Sequence, residues 1–142
     1  MNDRPDLAVL AGADGVHVGQ EELAVDVVRQ KVGSLLIGVS THSIEQARQA
    51  VLDGADYIGA GPVFESETKK FSELAGLAYV RKVAAEISIP AFAIGGIIEE
   101  RLDVVLQTGI RRVAISSALL KAKNPKATAE QWKKRLCTVA CQ

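Results

Sequence analysis

The chain has 142 residues, of which 48% are apolar, so it is long enough to bury one hydrophobic core. Lysine plus arginine and aspartate plus glutamate number 17 each, which gives no overall field that would favour nucleic acid or an anionic membrane as partner. No apolar stretch approaches the roughly 20 residues of a membrane span, and the first residues are polar. We predict a single domain over residues 1–142 that is cytoplasmic and binds small molecules.

Five short apolar runs predict β-strands, and segments with helical periodicity separate them. In chain order the runs are Val16 to Val18, Leu35 to Val39, Tyr57 to Ala60, Ala91 to Ile94 and Val113 to Ile115. Parallel strands need a helix-length connection, so this alternation predicts an α/β domain with a parallel sheet. Five units are enough for an open sheet, whereas a closed (β/α)8 barrel needs eight.

The helices can be placed from their apolar stripes and end signals. Val27, Val28 and Val32 mark a helix that ends at Gly33, and Ser43-Ile44-Glu45-Gln46 fits a capping box for the next one. Later stripes are Leu77, Val80, Val83, Ala84 and Ile87, then Ile98, Leu102, Val105 and Leu106, and finally Trp132, Leu136 and Val139 after Pro125. Cys137 and Cys141 are interpreted as helix-packing or terminal thiols.

One connection is much longer than the others, and its extra residues lie between Gly61 and Ala75. In parallel α/β folds the loops after the carboxyl ends of the strands hold the active site. Ser66, Thr68, Lys69 and Lys70 place two hydroxyls and two ammonium groups in this loop, which suits a phosphate or diphosphate. A solvated, charged surface loop has the same composition.

Other strand ends carry residues that suit the same ligand. Gly95-Gly96 and Ser116-Ser117 follow the last two strands, where a backbone can approach phosphate closely. Ser40 ends the second strand, and Glu22 follows the first. A carboxylate facing phosphate-binding groups is what Mg²⁺ requires, since it takes oxygen ligands. Each feature also has a purely structural interpretation: a tight turn, a helix N-cap, or a first-turn acid favoured by the helix dipole.

These residues resemble the thiamine-phosphate synthase family, also called thiamine-phosphate pyrophosphorylase. The similarity is carried by Asn2-Asp3-Arg4, Gly12-Ala13-Asp14-Gly15-Val16-His17-Val18-Gly19-Gln20-Glu21, Gly38-Val39-Ser40-Thr41-His42, Gly54-Ala55-Asp56-Tyr57-Ile58-Gly59, Gly61-Pro62-Val63-Phe64, Thr68-Lys69 and Ile94-Gly95-Gly96-Ile97. The resemblance implies a (β/α)8 barrel. It also implies a transferase that joins hydroxymethylpyrimidine diphosphate to thiazole phosphate, releasing pyrophosphate.

The resemblance also implies roles for individual residues. Asn2 would contact the pyrimidine diphosphate, Ser40 and Lys69 would hold the diphosphate and act in catalysis, and Asp3 and Glu22 would bind Mg²⁺. The thiazole phosphate would be held by Ser66, Glu67, Thr68, Gly95, Gly96, Ser116 and Ser117. The family's reaction loses pyrophosphate to give a pyrimidine-methyl cation, so no general base is needed, and we interpret His17, in an apolar strand, as structural.

Three features depart from the family pattern. Glu22 stands where the second metal-binding residue is normally Asp, and Ser66 stands where Thr is usual. The family's first three strands and a Gln-x-Arg-x-Lys segment that grips the pyrimidine have no counterpart, so the chain corresponds to strands 4–8.

Two expectations follow from the missing strands. The first is that the chain is a fragment of a longer protein or is completed by another chain, for example in a homo-oligomer. A second is weak synthase activity of the chain alone. The alternative functions are a thiazole tautomerase, whose catalytic His falls near His42, and a non-catalytic phosphate-binding remnant.

Overall fold

The computed structural model describes residues 1–65 and 73–139. Strands and helices alternate along this part of the chain, as the sequence predicts. The strands are β1 (Gly15–Val18), β2 (Leu36–Thr41), β3 (Tyr57–Ala60), β4 (Ala91–Ile94) and β5 (Val113–Ala114). The helices are α1 (Pro5–Leu10), α2 (Val25–Val32), α3 (Ile44–Leu52), α4 (Gly76–Glu86), α5 (Glu99–Leu106), α6 (Ser117–Leu120) and α7 (Pro125–Val139).

The five strands form one parallel sheet in the order β1-β2-β3-β4-β5. Val16 lies opposite Ile37, and Val39 lies opposite Ile58. Asn2 forms an isolated parallel bridge to His17, so the first residues of the chain run beside β1. The predicted parallel α/β sheet is confirmed, and every strand has its carboxyl end at the same edge.

One face of the sheet is buried under the helices. Side chains alternate between the two faces of a strand, and those facing the helices are the most deeply buried. The fully buried ones include Val16, Val18, Ile37, Ile58 and Ala93, which pack with helical residues such as Val28, Ala47, Val80, Val83 and Leu102. The opposite face carries His17, Gly38, Ser40 and Gly59 together with the apolar Leu36 and Ile94, and it is partly exposed.

Three strands and one helix differ from the predicted limits, and β1 begins one residue early, at Gly15. β2 continues to Thr41 because its buried hydroxyl donates to the carbonyl of Gly59 at 2.9 Å and lies 2.6 Å from the hydroxyl of Tyr79. β5 ends at Ala114, one residue early. α5 begins at Glu99, so Ile98 is its N-cap and is 37% exposed, not part of the buried stripe.

The capping box predicted at the start of α3 is only half formed. Ser43 Oγ accepts from the amide of Gln46 at 3.3 Å, as expected of an N-cap. The reciprocal bond does not go to Ser43, because Gln46 Oε1 accepts from the amide of His42 at 2.7 Å. The shifted bond ties α3 to the residue that follows β2.

Asp56 joins the start of β3 to β2 and α2. Its Oδ2 accepts from the amide of Ile37 at 2.7 Å and from Nη2 of Arg29 at 2.6 Å. Burial works to raise the pKa of the Asp56 carboxyl, but the Ile37 amide and the Arg29 guanidinium favour the charged form and hold that pKa below its usual 3.8. The charged form of Asp56 therefore stabilises the folded protein.

Replacing Asp56 with Asn should lower the free energy of unfolding by about 1–2 kcal/mol at pH 7, since charge-assisted hydrogen bonds are lost from a site about a third exposed. Because the folded pKa lies below the unfolded one, this contribution is present above the unfolded pKa and is lost as the pH falls through the folded pKa. Urea denaturation at pH 7 and pH 3 checks this. Asp53→Asn is the matched control, because within the described residues its carboxylate accepts only from Gln49 of its own helix. A difference between Asp56→Asn and the natural chain that stays constant over this range would contradict the argument.

The C-terminal helix begins at Pro125, as predicted. Trp132 is buried, and α7 is tied to α5 by ion pairs of Arg135 with Asp103 and Glu99. Cys137 is exposed, so it is not a packing thiol, and Cys141 lies outside the described residues. Within the described ranges we find no helix long and apolar enough to cross a membrane.

Candidate functional site

The carboxyl ends of the strands open into a cavity of about 870 Å³. It collects residues from well-separated parts of the sequence. Among those that the sequence predicted, its lining contains Asn2, Asp3, Glu22, Ser40, Gly95, Gly96, Ser116 and Ser117. Ser66, Glu67, Thr68 and Lys69 lie outside the described residues. The fold therefore brings every described candidate residue to one site.

The cavity lining includes acidic side chains. Asp3 and Glu22 both belong to it, and Asn2 Nδ2 donates to Asp3 Oδ2 at 2.6 Å. Within the described residues no group of three or more acidic, His or Cys side chains is poised to hold a metal. Two carboxylates nevertheless fit Mg²⁺, because this ion is usually held by one or two carboxylates together with waters and substrate phosphates. The donor set suits an ion that arrives with a phosphorylated ligand.

Ser40 is held at both its backbone and its side chain. Its carbonyl accepts from Nε2 of Gln20 at 2.7 Å, and its Oγ lies 3.0 Å from Nε2 of His17. The other ring nitrogen of His17, Nδ1, lies 3.1 Å from the hydroxyl of Tyr57. Burial lowers the pKa of His17, although the nearby charge of Asp3 opposes this shift. These contacts restrict both the backbone position and the side-chain orientation of Ser40 where it lines the cavity.

His17 also lines the cavity, which the interpretation from sequence did not anticipate. The signal was present in the strand pattern. Val16 and Val18 flank His17, and alternation along a strand places His17 on the face opposite to these buried residues. The same reasoning places Gly38 and Ser40 on the open face of β2.

The Gly95-Gly96 turn is joined to the start of the long loop. The amide of Val63 donates to the carbonyl of Ile94 at 2.9 Å, and the amide of Phe64 donates to the carbonyl of Gly95 at 3.1 Å. Arg101 holds both segments, since its Nη1 donates to the carbonyl of Gly96 at 3.0 Å and its guanidinium lies 4.8 Å from the ring centre of Phe64. These contacts fix the position of Val63 and Phe64, which precede residues 66–72 in the chain.

The segments after β5 and β2 present hydroxyl and imidazole groups. Ser116 precedes the four-residue helix α6 but its side chain makes no capping hydrogen bond, which argues against a simple N-cap role. His42 lines the cavity, with Nδ1 2.5 Å from the carbonyl of Gly61. Together with the carboxylates and Ser40, these groups can bind an anionic ligand and a divalent cation.

The chain is similar to known proteins of one enzyme family. A family model described as thiamine monophosphate synthase matches residues 1–119. A thiamine-phosphate synthase of Rhodopirellula baltica is 53% identical over 125 residues, which are 84% of this chain and 33% of that protein. A thiamine-phosphate synthase of Thermus thermophilus is 46% identical over 141 residues, or 99% of this chain and 68% of that protein.

A solved structure gives the same result at the level of the fold. The thiamine phosphate pyrophosphorylase of Pyrococcus furiosus superposes with a TM-score of 0.88 and 36% sequence identity, over 97% of this chain and 66% of that chain. The chain thus spans between one third and about two thirds of the length of these relatives.

Proposed function

Because this chain belongs to the thiamine monophosphate synthase family, we propose that it forms the greater part of the site of a transferase that joins hydroxymethylpyrimidine diphosphate to thiazole phosphate. The products are thiamine phosphate and pyrophosphate. The observation that carries the proposal is the meeting of Asp3, Glu22, Ser40 and the Gly95-Gly96 turn in one cavity at the strand ends. Phosphate ligands bind at this edge of parallel α/β folds.

The proposed site has two halves. Asn2, Ser40 and Lys69 bind the pyrimidine diphosphate, and Asp3 and Glu22 hold Mg²⁺ against it. Bound there, Mg²⁺ supplies positive charge that stabilises the departing pyrophosphate. The thiazole phosphate lies in the other half, which is lined at its described part by Gly95, Gly96, Ser116 and Ser117. Ser66, Glu67 and Thr68 complete this half in the proposal.

The proposed chemistry needs charge stabilisation more than proton transfer. The bond between the pyrimidine methylene carbon and the diphosphate oxygen breaks with its electron pair leaving on oxygen, and the thiazole nitrogen then bonds to that carbon. Ser40 and Lys69 donate hydrogen bonds to oxygens whose negative charge grows as the bond breaks, so they stabilise the transition state more than the bound substrate.

We further propose that β1 to β5 take the places of strands 4–8 in an eight-stranded barrel. Support comes from the open face of the sheet, where Leu36 is 52% and Ile94 is 45% exposed although both are apolar. Further strands, from the same chain or from another copy, would cover these side chains and supply the grip on the pyrimidine. Turnover by the chain alone is then expected to be weak.

The test combines binding with turnover. Calorimetric titration of the 142-residue chain with thiazole phosphate, and separately with pyrophosphate plus Mg²⁺, should show both ligands bound. Incubation with both substrates and Mg²⁺, followed by chromatography, measures thiamine phosphate and pyrophosphate in equal amounts. Failure to bind either ligand would overturn the proposal, whereas binding without turnover would identify the chain as a phosphate-binding remnant of the site.

One observation favours a second candidate, a thiazole tautomerase. His42 lines the cavity, and its Nδ1 lies within hydrogen-bond distance of the Gly61 carbonyl, which orients the ring. Incubation with thiazole carboxylate phosphate alone separates the two functions. Isomerisation that is lost in His42→Gln would favour the tautomerase, and its absence would favour the synthase.

A further inference from the structure

His17 links two hydroxyl groups across three neighbouring strands. Its Nε2 lies 3.0 Å from Ser40 Oγ, and its Nδ1 lies 3.1 Å from the hydroxyl of Tyr57. His17 lies opposite Gly38 on β2, and Gly38 lies opposite Tyr57 on β3. Ser40 lines the cavity, whereas Tyr57, the first residue of β3, does not. The imidazole therefore connects a phenol outside the cavity with a serine inside it.

Gly38 makes room for this connection, and Gly59 lies in ordinary contact distance of it. A β-carbon at Gly38 would lie 2.5 Å from Nδ1 of His17 and would overlap the ring of Tyr57. A β-carbon at Gly59 would lie 3.6 Å from Cε1 and 3.7 Å from Nε2 of the same imidazole. The imidazole thus lies across the backbone of β2 and β3, and any side chain at Gly38 would interrupt its contact with Tyr57.

We propose that Tyr57 and His17 are positioning residues that direct the hydroxyl proton of Ser40 into the cavity, an inference that rests on the proposed role of Ser40 as a diphosphate ligand. The Tyr57 hydroxyl donates to Nδ1 of His17. The Nε2–H group of His17 then donates a hydrogen bond to Ser40 Oγ. The single proton of Ser40 remains for a phosphate oxygen of the ligand, and Gln20 fixes the Ser40 backbone through the carbonyl.

Two chemical arguments select this direction of the hydrogen bonds. Diphosphate oxygens at neutral pH only accept hydrogen bonds, so a serine that binds them must donate its proton. A neutral imidazole has one donor and one acceptor nitrogen, and its basic nitrogen is a better acceptor than a phenol oxygen, while the phenol is the better donor. Both arguments place the His17 proton on Nε2.

The first experiment reads the proton position without any ligand. Long-range proton–nitrogen spectra of the nitrogen-labelled chain should show His17 protonated at Nε2, and Tyr57→Phe should give a mixture of the two neutral forms. Phenylalanine keeps the ring that packs edge-on against Phe92, with ring centres 5.8 Å apart. His42, the other histidine, is assigned with His42→Gln, and its signals should not change in Tyr57→Phe. Protonation of His17 at Nδ1 would overturn the proposal.

The second experiment is a double-mutant cycle with inorganic pyrophosphate and Mg²⁺ as the calorimetric probe. Tyr57→Phe should weaken binding by about three- to tenfold, the value of one oriented hydrogen bond, and by less than about twofold when Ser40 is already Ala. Equal losses in both backgrounds would overturn the positioning role alone. Absence of binding by the unaltered chain would overturn the proposed function, and the positioning role with it.

Discussion

Gly96→Ala is expected to lower the free energy of unfolding by about 2–5 kcal/mol, from left-handed backbone strain of about 1–2 kcal/mol plus overpacking of about 1–3 kcal/mol. Gly96 has a φ of +59°, a conformation that costs alanine energy. A β-carbon there would also overlap the carbonyl oxygen of Glu65 and lie 2.9 Å from Cβ of Phe64. Neither atom can move without separating the Gly95-Gly96 turn from the loop that it holds.

Gly12→Ala is a matched control, because it isolates the backbone strain. Gly12 has a φ of +61°, and a β-carbon there would meet nothing within 4 Å. Its cost should therefore be only the strain, about 1–2 kcal/mol. Urea denaturation of both variants measures the difference. Equal destabilisation would show that the close contact between the two loops does not constrain the turn.

Gly96→Ala should also weaken binding at the thiazole half of the proposed site. The turn lines the cavity, and the loop that leads into residues 66–72 is bonded to it through Phe64 and Gly95. Calorimetry with thiazole phosphate should show at least a tenfold loss in Gly96→Ala, equivalent to about 1.4 kcal/mol, and none in Gly12→Ala. Unchanged binding in Gly96→Ala would contradict a role of this turn in holding the phosphate.

Asp3→Asn is expected to remove the effect of Mg²⁺ on pyrophosphate binding. In the unaltered chain the ion should strengthen binding by roughly 5- to 150-fold, the range of typical coupling between two ligands, and in Asp3→Asn by less than about twofold. Asp3 has a φ of +54°, and Asn tolerates this backbone region as well as Asp does. The substitution therefore removes charge with little added strain.

Asp14→Asn provides the control for the change of charge. Asp14 is exposed, lies just before β1 at the opposite end from the cavity, and is not part of the cavity lining. Pyrophosphate is titrated with and without Mg²⁺ for the unaltered chain, both Asp variants and Glu22→Gln. Retention of the Mg²⁺ effect in Asp3→Asn would exclude Asp3 as a metal ligand. If the Mg²⁺ effect is lost in Asp3→Asn but retained in Glu22→Gln, Asp3 holds the ion without the carboxylate of Glu22.

The sheet could be predicted from the sequence because its physical signal is local. β3 and β4 have the predicted limits, since apolar strands between helical segments have one stable arrangement in a parallel sheet. The predicted strand limits were wrong where contacts with residues distant in sequence determine the end of the strand. Thr41 extends β2 because Gly59 and Tyr79 satisfy its hydroxyl, and neither partner is near it in sequence.

The candidate site was predictable to a similar degree. The residue types at the strand ends, and the resemblance that they carry, indicated Asp3, Ser40 and the Gly95-Gly96 turn, and all three line the cavity. His17 was missed as a cavity residue because its two flanking valines favoured a structural interpretation. Its contacts with Ser40 and Tyr57 depend on strand register across β1, β2 and β3, which no local pattern encodes.

By itself, the sequence determined the alternation of strands and helices, the parallel sheet and the family, because apolar periodicity and motif order are properties of a linear chain. Only the tertiary structure decided which side chains meet. The hydrogen bonds of His17 and the close approach of the Gly96 backbone to the Glu65 carbonyl each join groups whose separation in space is set by packing between elements. Hydrogen bonds and steric overlap act over a few ångströms, so they arise only after the sheet has fixed the register of its strands.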